Sequence, residues 1–425
     1  MKKNAIAALG AVGVLAITGC SAAAGDGETE SPAAEGAELR VWLVGTDTPD
    51  DARQLLIDTF EDEHPGSTLI IEEQSWDGLV DRLTTALSGS DSPDIVEIGN
   101  TQAPAFTTAG AFLDLTEHAE RLQADDLLPG FVEIGTADGA LYAPPLYSGS
   151  RLVFYDTAVY EEAGLEAPTT LDEYVSNATA LAEANPDASG LWWPGQDWYN
   201  GLPFIWEHGG EIAVPEGEGW DAQLSSDASV AGLEQVQQVM QEASRAPIDG
   251  NETNPQVGYC DGTSLQLSAP SWVKWSILAP ADAETPGCPG AEETLGVYAL
   301  PGMDGGAAQV FAGGSNIAIS AASEHPELAV DALEIILGDE FQTIYGQNGL
   351  VPARVSLADT LGTDAVAQAT TEAAANARLT PASPRWADVE ASGLLQDLFV
   401  SIAQGGDVRS LAEAADAQIE SILNG

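Results

Sequence analysis

The chain has 425 residues and carries 67 acidic against 13 basic side chains, which gives a formal net charge of −54 at pH 7. Such a charge repels the phosphate backbone of DNA or RNA, so nucleic acid is excluded as a partner. The length exceeds what one hydrophobic core usually holds, so we expect two domains. The dispersed acidic residues predict a strongly hydrated surface of the kind suited to a saline or an acidic-wall environment.

The N-terminal segment is predicted to be a processed leader rather than part of the fold. Two lysines precede an apolar stretch, Ala5–Ile17, which is too short to span a membrane as a stable helix. The sequence LAITGC, which ends at Cys20, resembles the bacterial lipobox, in which cleavage exposes a cysteine for lipid attachment. We therefore expect residues 1–19 to be a lipoprotein signal peptide and Cys20 to carry the lipid. The alternative is an ordinary secretory signal with a chance cysteine.

The segment after this leader is predicted to be a flexible tether. Residues 20–37 are small or acidic and include no large apolar side chain, so they cannot bury enough surface to fold. No later stretch is apolar and long enough to cross a membrane. With the lipid at Cys20, this tether predicts a protein anchored to the outer face of the cytoplasmic membrane.

Strands and helices alternate in the first part of the folded sequence. Apolar runs predict strands at 38–45, 67–73 and 93–99, and a helical stripe predicts a helix at 76–88 and another that starts after Thr48, its expected N-cap. This order predicts a mostly parallel sheet with helices on its faces.

The alternation recurs with different content further along the chain. Residues 140–156 hold two strand-like runs, 313–320 form another, and helices are predicted at 171–184, 230–243 and 407–424. The whole pattern predicts an α/β protein with two lobes, each a central mostly parallel sheet flanked by helices, joined by several chain crossovers. In such folds, small ligands bind beyond the carboxyl ends of the strands or between domains.

The chain has two further cysteines, Cys260 and Cys288, which are 28 positions apart. An isolated pair in an exported protein most simply forms one disulfide, which would contribute on the order of 3 kcal/mol to stability. A two-cysteine metal site would need histidines close by, and the sequence has none there.

Aromatic residues are concentrated in one window, 189–210. Six of them fall within fifteen residues of this window: Trp192, Trp193, Trp198, Tyr199, Phe204 and Trp206. Two interpretations stay open. The window can form a flat aromatic surface for a ligand with apolar faces and polar edges, or its indoles can close the side of a core.

Motifs for catalysis are absent from the sequence. There is no GxSxG elbow and no GxxxxGK loop, and the four histidines are far apart and without an HExxH pattern. We therefore expect no catalytic residue, no metal and no cofactor. A secreted glycoside hydrolase remains the alternative, because it needs only two carboxylates in an aromatic-lined cleft. A wall adhesin or scaffold is a third class, but the two-lobe order and the absence of repeats count against it.

Five segments in order resemble the extracellular solute-binding proteins of ABC importers, specifically the sugar-binding family often called family 1. The resemblance extends from about Leu39 to Leu423. The segments are FEDEHPGSTLIIEEQSW (60–76), PDIVEIGNTQAPAFTTAGAFLDLT (93–116), the stretch from GALYAPP to PTTLDEY (139–174), FAGGSNIAIS with the helix after it and LVPAR (311–354), and WADVEASGLLQDLFVSIAQGG (386–406).

The resemblance implies a periplasmic-binding-protein-like fold whose two lobes close on a disaccharide or short oligosaccharide. It implies a monomer that is not an enzyme and that delivers the sugar to ABC permease subunits in the membrane. We expect lobe 1 to comprise 38–147 and 309–355, and lobe 2 to comprise 148–308 and 356–425. Cello-, malto-, xylo- and N-acetylated sugars all remain open.

The matching motifs also suggest which residues bind the sugar. Trp272 is the expected stacking residue, followed by Trp206, because C–H faces of sugars pack on aromatic rings. The other expected site residues are Tyr147, Arg151, Asn100, Gln102, Trp76, Gly313, Gly314, Ser315 and Tyr199. Arg354 is either a site residue or a hinge or salt-bridge residue. Lys274 bonds a sugar, covers an indole or pairs with a surface acid, and the last is favoured.

Overall fold

The computed structural model describes residues 36–89, 91–217, 219–280, 282–283 and 287–425. The predicted signal peptide, Cys20 and nearly all of the predicted tether lie outside these residues. Within the described ranges, no helix combines the length and apolar character needed to cross a bilayer.

The first elements form the predicted alternation of strands and helices. They are β1 (Glu38–Val44), α1 (Asp50–Glu63), β2 (Thr68–Gln74), α2 (Leu79–Leu87) and β3 (Ile95–Gly99). Strand β1 pairs in parallel with both β2 and β3. The carboxyl ends of the three strands therefore meet at one edge of the sheet, where the predicted site residues of this lobe follow.

The helix N-cap predicted at Thr48 is wrong. Helix α1 begins at Asp50 after Pro49, without a side-chain cap. The Thr48 hydroxyl is instead buried and lies 2.8 Å from the Tyr345 hydroxyl. Asp50 and Asp51 in the first turn complement the helix dipole in place of the cap.

The chain then crosses to the second lobe through a long strand. The elements up to the crossing are α3 (Ala103–Thr108), α4 (Pro129–Ile134), β4 (Thr136–Ala137), β5 (Ala140–Leu141) and the twelve-residue β6 (Pro145–Asp156). All but the last two residues of β6 are buried.

The chain then enters a region whose side chains build the second hydrophobic core. Its elements are α5 (Thr157–Ala163), α6 (Leu171–Ala184), α7 (Leu202–Glu207), β7 (Ala213–Glu216), β8 (Gly219–Ala222), α8 (Asp227–Glu242), α9 (Gln256–Cys260), β9 (Gln266–Pro270), α10 (Val273–Ile277), α11 (Ala291–Thr294) and β10 (Leu295–Tyr298). Strands β9 and β10 flank the second half of β6, both antiparallel to it.

The chain returns through a second long strand and ends in helices. These elements are β11 (Val310–Ile319), α12 (Pro326–Leu337), α13 (Asp339–Gln347), β12 (Val351–Pro352), α14 (Ala365–Ala375), β13 (Ala377–Arg378), α15 (Trp386–Ala391), α16 (Leu394–Ala403) and α17 (Val408–Asn424). Strand β11 is antiparallel to β6 on one side and to β3 on the other. Strand β13 pairs in parallel with the first two residues of β11.

One curved sheet runs through both lobes in the order β10-β6-β11-β3-β1-β2. The α/β architecture is as predicted, but the sheet is more mixed than expected. The parallel pairs of this sheet lie mainly in the first lobe. Strands β6 and β11 cross between the lobes in opposite directions, and their neighbours β10, β9 and β3 pair with them in the antiparallel sense.

The lobes have separate hydrophobic cores that meet at these crossing strands. Along β6, Tyr147 belongs to the first core and Leu152 to the second. Along β11, Phe311 belongs to the second core and Ile317 to the first. Trp272 packs against both cores, which places its indole at the junction of the lobes.

Candidate binding site

A cavity of about 350 Å³ lies between the lobes, and we call it the cleft cavity. It opens at the carboxyl ends of the parallel strands, as expected for an α/β fold. It is lined by Asp47, Trp76, Gly99, Asn100, Thr101, Gln102, Tyr147, Gly149, Arg151, Tyr199, Glu252, Pro270, Trp272, Phe311, Gly313, Gly314 and Glu390.

Nine of the eleven sugar-site residues predicted from the sequence line the cleft cavity. They are Trp76, Asn100, Gln102, Tyr147, Arg151, Tyr199, Trp272, Gly313 and Gly314. The structure places the other two, Trp206 and Ser315, elsewhere. Both lobes and both crossing strands contribute to the lining.

Trp272 lies against the backbone of the two crossing strands. A Cβ atom at Gly149 would overlap Cζ3 of this indole, and one at Gly313 would come within 3.2 Å of its Cη2. Glycine at both positions therefore lets the ring settle directly on the sheet. The predicted stacking residue is thus held in place by strands β6 and β11.

Tyr199 belongs to a column of stacked rings on the second-lobe side. Its ring centre is 3.9 Å from that of Trp198 and 4.7 Å from that of Phe311. The guanidinium carbon of Arg151 lies 5.6 Å from the Tyr199 ring centre, a cation–π distance. On the opposite lobe, Trp76 is 41% exposed and reaches the same cavity.

Arg151 is buried and almost fully occupied by protein acceptors. Its Nη1 donates to Asn200 Oδ1 at 3.1 Å and to the Ser268 carbonyl at 3.2 Å. Its Nη2 donates to Asp197 Oδ1 at 3.5 Å and to Glu252 Oε2. Burial raises the pKa of Asp197 above its usual value, and the charge of Arg151 counteracts this effect.

Asp47 holds two aromatic side chains of the first lobe. Its Oδ2 accepts hydrogen bonds from Trp76 Nε1 at 3.2 Å and from the Tyr147 hydroxyl at 3.0 Å. Burial raises the pKa of the Asp47 carboxyl, and these two donors partly offset that rise. Asp47 therefore both lines the cavity and positions its neighbours.

Ser315 lies beneath the cavity floor rather than in it. The residue is fully buried, and its hydroxyl donates to Glu97 Oε1 at 2.6 Å. Glu97 also accepts a hydrogen bond from the Val44 amide at 2.7 Å, and burial raises the pKa of Glu97 to about 8. The hydroxyl of Ser315 is held by this buried carboxyl. Ser315 therefore does not line the cleft cavity, although the sequence predicted it as a site residue.

Trp206 lies in α7 and faces away from the cleft cavity. It is 5% exposed, and the guanidinium of Arg378 covers its ring at 5.0 Å. It borders a separate hollow of about 390 Å³, which we call the second hollow. This hollow is lined by Gly130, Glu133, Ile134, Trp206, Glu211, Ile212, Ala213, Val214, Pro215, Trp220, Ala377, Arg378, Leu379, Thr380, Pro381 and Ala382.

A hydrogen bond joins the two lobes at the rim of the cleft cavity. The hydroxyl of Thr101, which follows β3, donates to Glu390 Oε2 at 2.8 Å. The indole of Trp386 donates to the other carboxylate oxygen at 3.1 Å. Burial raises the pKa of Glu390 to about 7, and these two donors oppose the rise.

Several lining residues were not predicted from the sequence. They are Asp47, Gly99, Thr101, Gly149, Glu252, Pro270, Phe311 and Glu390. Nothing in the local pattern distinguishes their three carboxylates from the other acidic residues of the chain. Gly149 had a usable signal, because it lies between two predicted site residues on one strand.

Two basic residues left open by the sequence lie outside the cleft cavity. Arg354 forms ion pairs with Asp126 at 2.7 Å and Asp339 at 3.0 Å, so it is a salt-bridge residue. Lys274 lies 3.7 Å from Asp364, a surface acid. The sulfur atoms of Cys260 and Cys288 are at disulfide distance, with Cα atoms 4.5 Å apart. In the part of the chain that the structure describes, no cluster of three or more His, Cys, Asp or Glu residues could hold a metal ion.

Comparison with known proteins agrees with this architecture. The family described as bacterial extracellular solute-binding protein matches residues 45–343. The diacetylchitobiose binding protein DasA of Streptomyces coelicolor is 31% identical over 434 aligned positions, which cover 100% of this chain and 98% of the relative. The arabinooligosaccharide-binding protein of Halalkalibacterium halodurans is 23% identical over 62% of this chain and 59% of its own length.

Solved structures show the same fold. The sugar-binding protein MalE of Xanthomonas citri superposes with a TM-score of 0.78 at 21% identity, covering 91% of this chain and 98% of that one. The GacH receptor of Streptomyces glaucescens gives 0.77 at 18% identity, covering 92% and 99%. With a family match over most of its length and a full-length relative above 30% identity, this chain belongs to the bacterial extracellular solute-binding proteins.

Proposed function

We propose that this protein is the substrate-binding component of an ABC importer, which captures a disaccharide or short oligosaccharide between its lobes and delivers it to membrane permeases. The observation that carries the proposal is the cleft cavity, where Trp272 and Tyr199 border the same space as side chains of the opposite lobe. The relative that is 31% identical along the whole chain binds diacetylchitobiose, so an N-acetylated disaccharide is the first ligand to test.

The lining suits a carbohydrate because it combines ring faces with polar edges. Axial C–H groups of a sugar pack on aromatic faces, and we assign this role to Trp272 and Trp76. Tyr199, whose ring stacks on Trp198 and Phe311, borders the same space. Hydroxyl groups need partners in a closed site, because an unpaired buried hydroxyl costs about 1–3 kcal/mol. The assigned partners are the side chains of Asn100, Gln102 and Tyr147 and the backbone of Gly313 and Gly314. Arg151 borders the same space, but its terminal nitrogens already donate to protein acceptors.

The lobes would move relative to each other to admit the sugar. We assign 38–147 with 309–355 to one lobe and 148–308 with 356–425 to the other. The hydrogen bond between Thr101 and Glu390 spans the gap between them. A ligand that contacts both lobes would stabilise this arrangement, because binding to one state shifts the population towards it.

The glycoside hydrolase alternative finds no support. The matched family and the similar proteins are binding proteins rather than enzymes. Acidic residues in the cleft cavity are engaged in holding Trp76, Tyr147, Arg151 and Thr101, a positioning role that requires no catalysis.

The family places the protein outside the cytoplasm. We propose further that Cys20 carries a lipid after removal of residues 1–19, and that 20–37 tether the folded part to the membrane. The protein would act as a monomer on its permeases. A disulfide between Cys260 and Cys288 fits such an oxidising location.

The proposal is tested by measuring thermal unfolding of the full chain with N,N′-diacetylchitobiose, cellobiose, maltose and xylobiose, and then analysing the recovered sugar. A ligand at a hundred times its dissociation constant should stabilise the protein by about 2.7 kcal/mol and be recovered intact. Trp272→Ala should lose the stabilisation, whereas Trp275→Ala, an exposed neighbour outside the cavity, should keep it. Cleaved sugar would indicate a hydrolase, and no stabilisation by any sugar would contradict the proposal.

A further inference from the structure

The charged side chains of the cleft cavity are mostly acidic. Asp47 comes from the first lobe, Glu252 and Glu390 come from the second, and Arg151 is the basic residue among the lining side chains. A ligand that enters this space therefore meets three carboxyl groups and one guanidinium. The availability of each group decides what charge the ligand can carry.

Arg151 is not available to an anionic ligand. Both of its terminal nitrogens donate to protein acceptors, Nη1 to Asn200 and Ser268 and Nη2 to Asp197 and Glu252. Its remaining donor, Nε, is inaccessible to solvent. The positive charge is thus already compensated by two carboxylates, and a carboxylate on the ligand would find no free cation to pair with.

Two carboxylates keep an oxygen free. Asp47 bonds Trp76 and Tyr147 through Oδ2, and Glu252 bonds Arg151 through Oε2. In the described part of the chain, no donor reaches the second oxygen of either residue. Both residues are only partly buried and line the cavity, so these oxygens are acceptors that a ligand can use. The two residues lie on opposite lobes and line the same cavity.

We propose that the cleft cavity selects sugars by charge. For sugars of the same ring and linkage, one with a protonated amine binds more tightly than one with a neutral hydroxyl, and one with a carboxylate binds most weakly. This inference rests on the proposed sugar-binding function. Its physical basis is that opposite charges attract strongly in a partly desolvated site, whereas a like charge there must be desolvated without compensation.

The test uses three β-1,4-linked disaccharides that share one backbone: chitobiose with free amines, cellobiose, and cellobiouronic acid. Calorimetric titration of the full chain near neutral pH keeps much of the amine protonated and limits protonation of the Asp47 and Glu390 carboxyls, whose pKa values burial raises. We expect chitobiose to bind about tenfold or more tighter than cellobiose, and the acid about tenfold or more weaker. N,N′-diacetylchitobiose serves as the reference ligand for the proposed function itself.

Variants identify the groups responsible. Asp47→Asn and Glu252→Gln should each reduce severalfold the difference in affinity between chitobiose and cellobiose. Glu133→Gln removes the same charge from an exposed side chain outside the cleft cavity, so it should leave this difference unchanged. Thermal melting checks that each variant is folded. If a variant does not fold, the unmodified protein is titrated with added salt instead. Salt should reduce the difference in affinity between chitobiose and cellobiose, because ions screen the attraction between the amine and the carboxylates.

The outcomes separate the two proposals. If diacetylchitobiose or cellobiose binds but the three charge types bind equally, or the acid binds as well as the neutral sugar, charge selection is overturned and the sugar-binding function stands. If none of the four sugars binds, both fail. A preference for the amine that survives in both Asp47→Asn and Glu252→Gln would also overturn the proposal that these two carboxylates select the ligand by charge.

Discussion

The two hollows between the lobes have similar volumes and both contain tryptophan, but they differ in how the tryptophan and the charged side chains are engaged. In the second hollow, Arg378 covers Trp206 and donates to both carboxylate oxygens of Glu211, at 2.8 and 3.0 Å. In the cleft cavity, Asp47 and Glu252 each keep one oxygen without a partner among the described residues. Aromatic content and volume therefore do not mark a binding site by themselves, because the ring of Trp206 is already covered by a cation that is paired with Glu211.

The largest expected effect is on stability in the second hollow. Trp206→Ala should lower the free energy of unfolding by about 3–5 kcal/mol, because it removes a large side chain from the second core. The sugar affinity of the folded protein should not change, since Trp206 does not line the cleft cavity. Denaturant unfolding and calorimetry measure the two quantities. A loss of affinity with intact stability would reverse the roles assigned to the hollows.

The next effect concerns the carboxyl beneath the cleft cavity. Burial raises the pKa of Glu97 from 4.5 to about 8. Between these values the folded protein keeps a proton that the unfolded chain has lost, so the free energy of unfolding should fall by a few kcal/mol as the pH rises through this window. In the Glu97→Gln variant, this decrease of the free energy of unfolding with rising pH should disappear. Glu133→Gln at the second hollow should retain it, and equal slopes in both variants would contradict the prediction.

The fold was more predictable than the members of the site. The strands β1, β2 and β3 follow from local apolar patterns, and Trp76, Asn100 and Gln102, which follow β2 and β3, line one cavity. Carboxylates carry no such local pattern. Their roles depend on contacts between distant segments, such as the 101 residues that separate Arg151 from Glu252.

The aromatic window shows the same limit. It predicted that rings cluster at 189–210, and both interpretations of them apply in part. Tyr199 lines the cleft cavity, whereas Trp193, Trp198 and Trp206 are buried in the second core. The spacing of the aromatic residues along the chain could not show which of them line the cavity and which are buried. Trp206 in the short helix α7, for example, is buried by packing between distant segments, which the sequence does not reveal.

A smaller effect tests how the strands hold the stacking residue. Gly149→Ala should weaken sugar binding about tenfold, because the added Cβ would overlap the Trp272 indole and displace it from the sheet. Gly130→Ala in the second hollow is the matched control. Its Cβ would meet only the tip of the Leu379 side chain at 3.0 Å, so affinity should not change. Calorimetry checks both, and unchanged affinity in Gly149→Ala would show that the indole position does not matter.

The smallest effect lies in the hydrogen bond between the lobes. Thr101→Val keeps the shape of the side chain but removes the donor to Glu390, so the arrangement with both lobes in contact loses about 1 kcal/mol. Sugar affinity should fall about fivefold, because binding must then supply that free energy. Thr380→Val makes the same change at the second hollow, where the Thr380 hydroxyl has no hydrogen bond within the described ranges, and it should leave affinity intact. Equal affinities in the two variants would mean that the contact between Thr101 and Glu390 does not stabilise the sugar-bound state.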